Sequence, residues 1–293
     1  MLVASKLMLA AAIAVPTTIS TLMLGYGPAS VAIPDVVELP PGEFLYRAGG
    51  EFTHAGMPVS APLVTVTFPR ALAIMKHQVT AVEYWRCVDA GACVPTGQAA
   101  AAPDRPVVRV SWFDADAYSS WLSRETGVHF RLPKDEEWSY AAASRFTDDV
   151  VTRSDPGQRA LANYEREAGR QEAIDKEPRP VGSFGANENG LVDLAGNVWE
   201  WTDTCYVRRA LDAHGAAQAA TSYCGIRIVE GRHRAYVIDF VRDARGGGCA
   251  VGAPPTNLGF RLVRDDDLSV GLHALIARVQ HYIGRGRRAF VTL

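Results

Sequence analysis

Residues 33 to 70 set short β-branched and aromatic runs, such as Leu63-Val-Thr-Val-Thr-Phe68, between Pro and Gly punctuation, and the pattern predicts strands. The period then changes. Thr80 with Glu83 three residues on makes a capping box that opens a short helix through Val88. Ser111 and Asp114 repeat the device, and Ala115, Tyr118, Trp121 and Leu122 recur at helical spacing until Gly127 ends the helix. Pro133 sits where a third helix begins. Asp135, Glu136 and Glu137 suit its positive end, and Trp138, Ala141 and Ala142 turn inward. General acid or base roles for Glu136 and Glu137 are outweighed by that favourable first-turn charge. Residues 145 to 180 are polar and read as long loops. Beyond Asp265, the positions Leu268, Leu272, Leu275, Ile276, Val279 and Ile283 recur at helical spacing, with Arg285, Arg287 and Arg288 after the helix end. The sum is a mixed α+β fold with a high loop content.

Composition adds bounds. The 293 residues are 48% hydrophobic, enough for a substantial core, and a net charge of -2 gives no reason to expect nucleic acid as a partner. Leu7 to Leu24 is nearly all apolar, follows the lone positive charge of Lys6, and precedes the small residues Ser30-Val-Ala32. Residues 1–32 therefore read as an export signal, with an uncleaved N-terminal anchor as the rival and the only expected membrane contact. Either places the body, 33–264, and the tail, 265–293, outside the cytoplasm: periplasmic or extracellular. Cysteine usage agrees: Cys87 and Cys93 bracket a short Gly-containing loop, and Cys205 and Cys224 flank an Ala-rich insertion. Each pair could close a disulfide, although sequence cannot fix the pairing, and five cysteines leave at least one over.

The densest chemistry lies in Gly190-Leu-Val-Asp-Leu-Ala-Gly-Asn-Val-Trp-Glu-Trp-Thr-Asp203. Trp199 and Trp201 are two apart, so an extended backbone sends both indoles to one face. Asp193, Asn197, Glu200 and Asp203 interleave oxygens with that apolar material, a pattern that suits a hard cation, which takes six to eight oxygens. A tight turn capping its own backbone is the commoner use of such residues.

This stretch resembles the signature of the formylglycine-generating-enzyme (sulfatase-modifying-factor) family, a Gly-Leu-x-Asp-x-x-Gly-Asn-x-Trp-Glu-Trp core. Further stretches match in order: Pro41-Gly-Glu-Phe-Leu45, Val79-Thr-Ala-Val-Glu-Tyr84, Val110 to Tyr118, Arg131 to Ala142, and Asn257-Leu-Gly-Phe-Arg-Leu262. The resemblance implies an irregular, loop-rich fold related to the C-type lectin scaffold. It implies structural calcium at Asp193, Gly196, Val198 and Glu200, with main-chain carbonyls from the glycine and valine. It also implies a second site at Asn163, the carbonyl of Tyr164, Asp175 and Glu177.

The family's activity is oxidation of a client cysteine with dioxygen, using two cysteines that hold copper(I), and soft thiolates suit that ion. Here the matching region, Arg242 to Arg261, holds Cys249 alone, which leaves it as the one candidate catalytic residue. His233 is a conceivable second ligand for copper, and iron-dependent relatives use histidines on a helical domain this chain lacks. Relatives accompany copper nitrite reductase or oxidise a siderophore precursor, so the expected partner is a client protein or a peptide-derived substrate. The rival expectation is a non-catalytic binding or assembly-chaperone module on a calcium-tied scaffold. Gly246-Gly-Gly248 lacks the context of a phosphate loop, and no Gly-x-Ser-x-Gly elbow is present.

Overall fold

In this computed structural model the chain divides into two compact units, Met1–Ser30 and Val31–Leu293. The residues described are 31–97, 103–146, 177–243 and 257–265, all in the second unit. The 1–30 segment, most of the tail and the Gly246–Gly248 run lie outside them.

Local sequence rules account for the helices. Helix α1 (Ala81–Asp89) opens on Thr80, whose hydroxyl accepts the Glu83 N–H while the Glu83 carboxylate accepts the Thr80 N–H at 2.7 Å. Helix α2 (Trp112–Thr126) uses Ser111 and Asp114 the same way and stops at Gly127, whose φ of 72° is the left-handed cap glycine allows. Helix α3 (Asp135–Ala142) follows Pro133, and Glu137 both accepts the Lys134 N–H and grips Arg131 through two 2.7 Å contacts. Its first-turn acids therefore do more than meet a helix dipole.

Among the described residues the strands form three sheets. Two-stranded β2 (Gly42–Arg47) with β5 (Leu63–Phe68) is antiparallel. A four-stranded sheet has the order β1 (Val36–Leu39), β6 (Leu72–Met75), β12 (Val263–Arg264), β7 (Phe130–Arg131). The third sheet runs β10 (Ala235–Ile238), β9 (Ala217–Glu230), β8 (Trp199–Leu211), β3 (Glu51–His54), β4 (Met57–Val59), and short β11 (Leu258–Gly259) joins β8 in parallel. Strands β8 and β9 make a long hairpin. Its turn is held by Asp212, whose carboxylate accepts the N–H groups of His214 and Ala216.

Both expected disulfides are present. Cys87–Cys93 closes the loop after α1, and Cys205–Cys224 crosses the hairpin. Among the described residues no helix is long and apolar enough to cross a membrane.

Two apolar clusters hold these layers. One gathers Tyr84, Tyr118, Trp121, Phe130, Trp199, Trp201 and Phe260; the other gathers Ile74, Trp138, Leu191, Leu194 and Val263. The twin indoles do share a buried face of β8, and Trp201 donates its N–H to the Val110 carbonyl at 2.8 Å. A buried indole without that acceptor would offset part of its apolar gain.

Candidate functional site

The signature forms a turn followed by the first residues of β8. Asp193 has a φ of 61° and Ala195 of 56°, a left-handed bend that non-glycine residues enter only when surroundings compel it. The Asp193 carboxylate supplies part of that compulsion: its two oxygens accept the N–H groups of Gly182 at 2.6 Å and Phe184 at 2.8 Å. Gly196 presses on the Phe184 ring, where an added Cβ would sit 2.7 Å from it, and its N–H donates to the Asp193 carbonyl. Asn197 pins the incoming chain through paired contacts to Arg179 at 2.8 and 2.9 Å. Val198 is buried.

Alternation along β8 puts Glu200 on the face opposite the two indoles, fully enclosed. Four donors meet it there. Arg261 contributes Nε at 2.6 Å and Nη2 at 2.9 Å, Gln78 Nε2 lies at 2.7 Å, and Trp138 Nε1 at 2.9 Å. Arg261 is equally enclosed and spends its remaining N–H groups on the carbonyls of Met75, Lys76 and Val192. One ion pair thus ties β6, the signature turn, β8 and the closing strands. Gln78 Nε2 also donates to the Asp193 carbonyl at 3.2 Å, while its Oε1 has no partner. Since both groups in reach are acceptors, the amide's orientation follows.

The two carboxylates of this set are already committed to protein donors rather than to a calcium ion. Of the residues implied for it, the Asp193 carboxylate is committed to main-chain N–H groups, and the Glu200 carboxylate carries a neutralising guanidinium. Among the described residues no group of three or more His, Cys, Asp or Glu side chains could hold a metal. From the second implied site, Asn163, Tyr164 and Asp175 lie outside the described residues, and Glu177 is exposed in a bend.

On the indole face, Trp199 donates Nε1 to the His233 carbonyl at 3.2 Å, and the two rings stand edge to face at 5.6 Å. Gly231 lies against the Trp199 ring, where a Cβ would come within 2.6 Å. His233 Nδ1 contacts the Arg234 carbonyl at 2.9 Å, and its buried Nε2 has no partner among the described residues. The Trp199 main-chain N–H donates to the carbonyl of Asn257, the first described residue after segment 244–256, at 2.8 Å. Cys249 belongs to that segment, outside the described residues. A groove of about 460 Å³ lies beside the signature turn, lined by Ser144, Arg145, Phe184, Leu194, Ala195, Gly196 and Arg232.

A second buried charge cluster stands between α3 and β9. Arg234 pairs with Glu230 at 2.8 Å and lies 3.0 Å from Asp135, within ion-pair range but not aligned for a hydrogen bond. Tyr46 donates its hydroxyl to Asp135. Burial first, and then the Asp135 charge, push the Glu230 carboxyl well above its ordinary range. Burial disfavours the Arg234 charge, but Asp135 and Glu230 more than reverse this and hold it protonated.

Sequence patterns alone do not single out Gln78 or Arg261. The available signal is Arg261 itself, flanked by Phe260 and Leu262, since an arginine between two core positions demands a buried anion.

A strand-rich α+β domain closed by an Arg–Glu clamp behind paired indoles defines the class. The chain belongs to the sulfatase-modifying factor enzyme 1-like domain family, which it matches over residues 26–266. It is 31% identical over 207 residues to a formylglycine-generating enzyme from Streptomyces coelicolor, covering 64% of this chain and 60% of that protein. It is 34% identical over 169 residues to the inactive C-alpha-formylglycine-generating enzyme 2 of Bos taurus, covering 52% of this chain and 53% of that one. The chain thus spans about half to three fifths of these relatives. The fold is shared with PvdO from Pseudomonas aeruginosa, at a TM-score of 0.51 and 24% identity over 79% of this chain and 94% of that one.

Proposed function

We propose that this protein is an exported maturation factor that binds a client protein or peptide-derived substrate outside the cytoplasm, without a two-thiolate copper centre. One observation carries the second half of that reading. Two disulfides consume four of the five cysteines, which leaves Cys249 as the single remaining thiol. Linear copper(I) ligation of the family's kind needs two. Family membership supports a role in modifying or maturing a client, and the two disulfides with the apolar N-terminal run support export. The groove beside the signature, whose lining includes Phe184, Ala195 and Arg232, suits an extended peptide segment with an acidic group.

Catalysis at Cys249 is the second reading. The buried Nε2 of His233, without a partner among the described residues, favours it, and one thiolate with one imidazole would then be the ligands offered to copper or iron. Oxygen uptake by the purified protein, supplied with copper(I) or iron(II) and a cysteine-containing peptide, separates the two. No uptake above the metal-only control, with peptide binding retained, is the expected outcome. Turnover that Cys249→Ala abolishes would replace the first reading with the second.

A further inference from the structure

Of the residues implied for calcium in the signature turn, Asp193 and Glu200 have carboxylates whose oxygens the protein has already filled. We infer that the Gln78 side-chain amide and the Arg261 guanidinium take the place of the cation, so that Asp193, Gly196, Val198 and Glu200 fold into their turn without a bound ion. Gln78 Nε2 bridges the Asp193 carbonyl and Glu200 Oε1 at 3.2 and 2.7 Å, joining two oxygens that a cation would otherwise hold together. Charge decides the matter. Within this enclosed ring Glu200 is the single anion facing inward, Arg261 cancels it at 2.6 Å, and Gln78 and Trp138 are neutral. The Asp193 carboxylate faces Gly182 and Phe184 instead. A divalent ion placed here would meet a neutral ring and a guanidinium at close range, with no net negative charge to offset its dehydration.

The decisive residue is then Gln78. A carboxylate there would restore a net negative ring and, turned toward Glu200 and the Asp193 carbonyl, would repel them unless a cation intervened. Full-length wild-type and Gln78→Glu proteins are stripped with a chelator, desalted and titrated with calcium while Tm is followed. Terbium supplies a second readout, because Trp138 touches Glu200 and would sensitise emission from an ion bound there. In wild type, neither chelation nor calcium should shift Tm through this site, and terbium emission should be unaffected by Trp138→Phe. Gln78→Glu should bind an additional calcium ion per chain, gain roughly 5 °C or more in Tm on saturation, and show emission that Trp138→Phe removes. Gln78→Met, which keeps the volume without the donor, should lower Tm in a way calcium does not restore, and this arm decides if the glutamate variant fails to fold. Equal calcium dependence in wild type and Gln78→Glu would overturn the inference. So would wild-type emission lost in Trp138→Phe, or rescue of Gln78→Met by calcium.

Discussion

Glu230 shows how far one side chain can depart from its solution chemistry. It is buried within the field of the Asp135 carboxylate, and Arg234 pairs with it at 2.8 Å. Burial and the Asp135 charge raise its pKa above the ordinary 4.5. The folded chain therefore binds this proton more tightly than the unfolded chain. Stability from this group is fully present below about pH 4.5 and is lost as pH rises through the raised value, at up to about 1.4 kcal/mol per pH unit. Glu230→Gln is neutral at every pH and keeps the side chain's size. Urea unfolding at pH 5 and pH 8 should show wild type losing stability between the two and the glutamine variant losing less. Parallel losses in both proteins would assign the pH dependence to other groups. Nothing in the sequence announces this cluster, because Asp135 is remote in the chain from Glu230 and Arg234, and each residue is ordinary in its local window.

Elements divide according to how local their causes are. The capping boxes of α1 and α2 and the glycine stop of α2 involve residues within a few positions of one another, and all three are legible in the sequence itself. The β8–β9 hairpin is not. From Ala217 to Gly225 strand β9 is exposed, so no face needs to be apolar and the Ala-rich run shows no period to read. What holds the outer half is main-chain pairing with β8, from Tyr206↔Tyr223 to Leu211↔Ala217, the parallel contact of β3, and the Cys205–Cys224 bridge. Closing a loop of 19 residues restrains the unfolded chain by about 3 kcal/mol. The double variant Cys205→Ser, Cys224→Ser should lose roughly that amount. Amide exchange should quicken across residues 206–223 and stay slow around Trp199 and Trp201, whose protection comes from core packing. Uniform acceleration through β8 would show instead that the hairpin and core open as one unit.

For the whole molecule, the contacts that define the domain join segments remote in sequence: β11 lies on β8, β12 on β6, and β3 on β8 in parallel. A sequence read by windows finds the pieces and the family signature but not these pairings. Glu200 therefore reads as a metal ligand within its own window, and only the fold sets Arg261 beside it. That pair is the point where the remote segments meet, since Arg261 alone reaches Met75, Lys76, Val192 and Glu200. Both partners are fully enclosed, so their attraction largely repays desolvation, and the penalty appears when one is removed and the other stays charged. Arg261→Met should therefore cost about 3–5 kcal/mol, a large share of the roughly 5–15 kcal/mol typical of a folded domain. The paired change Arg261→Met, Glu200→Met removes the stranded charge as well. It should unfold at a higher urea concentration than Arg261→Met alone, even though Trp138 and Gln78 lose an acceptor. If the double variant were instead the weaker, the net attraction of the pair, and not the cost of an isolated buried charge, would be what keeps these four segments together.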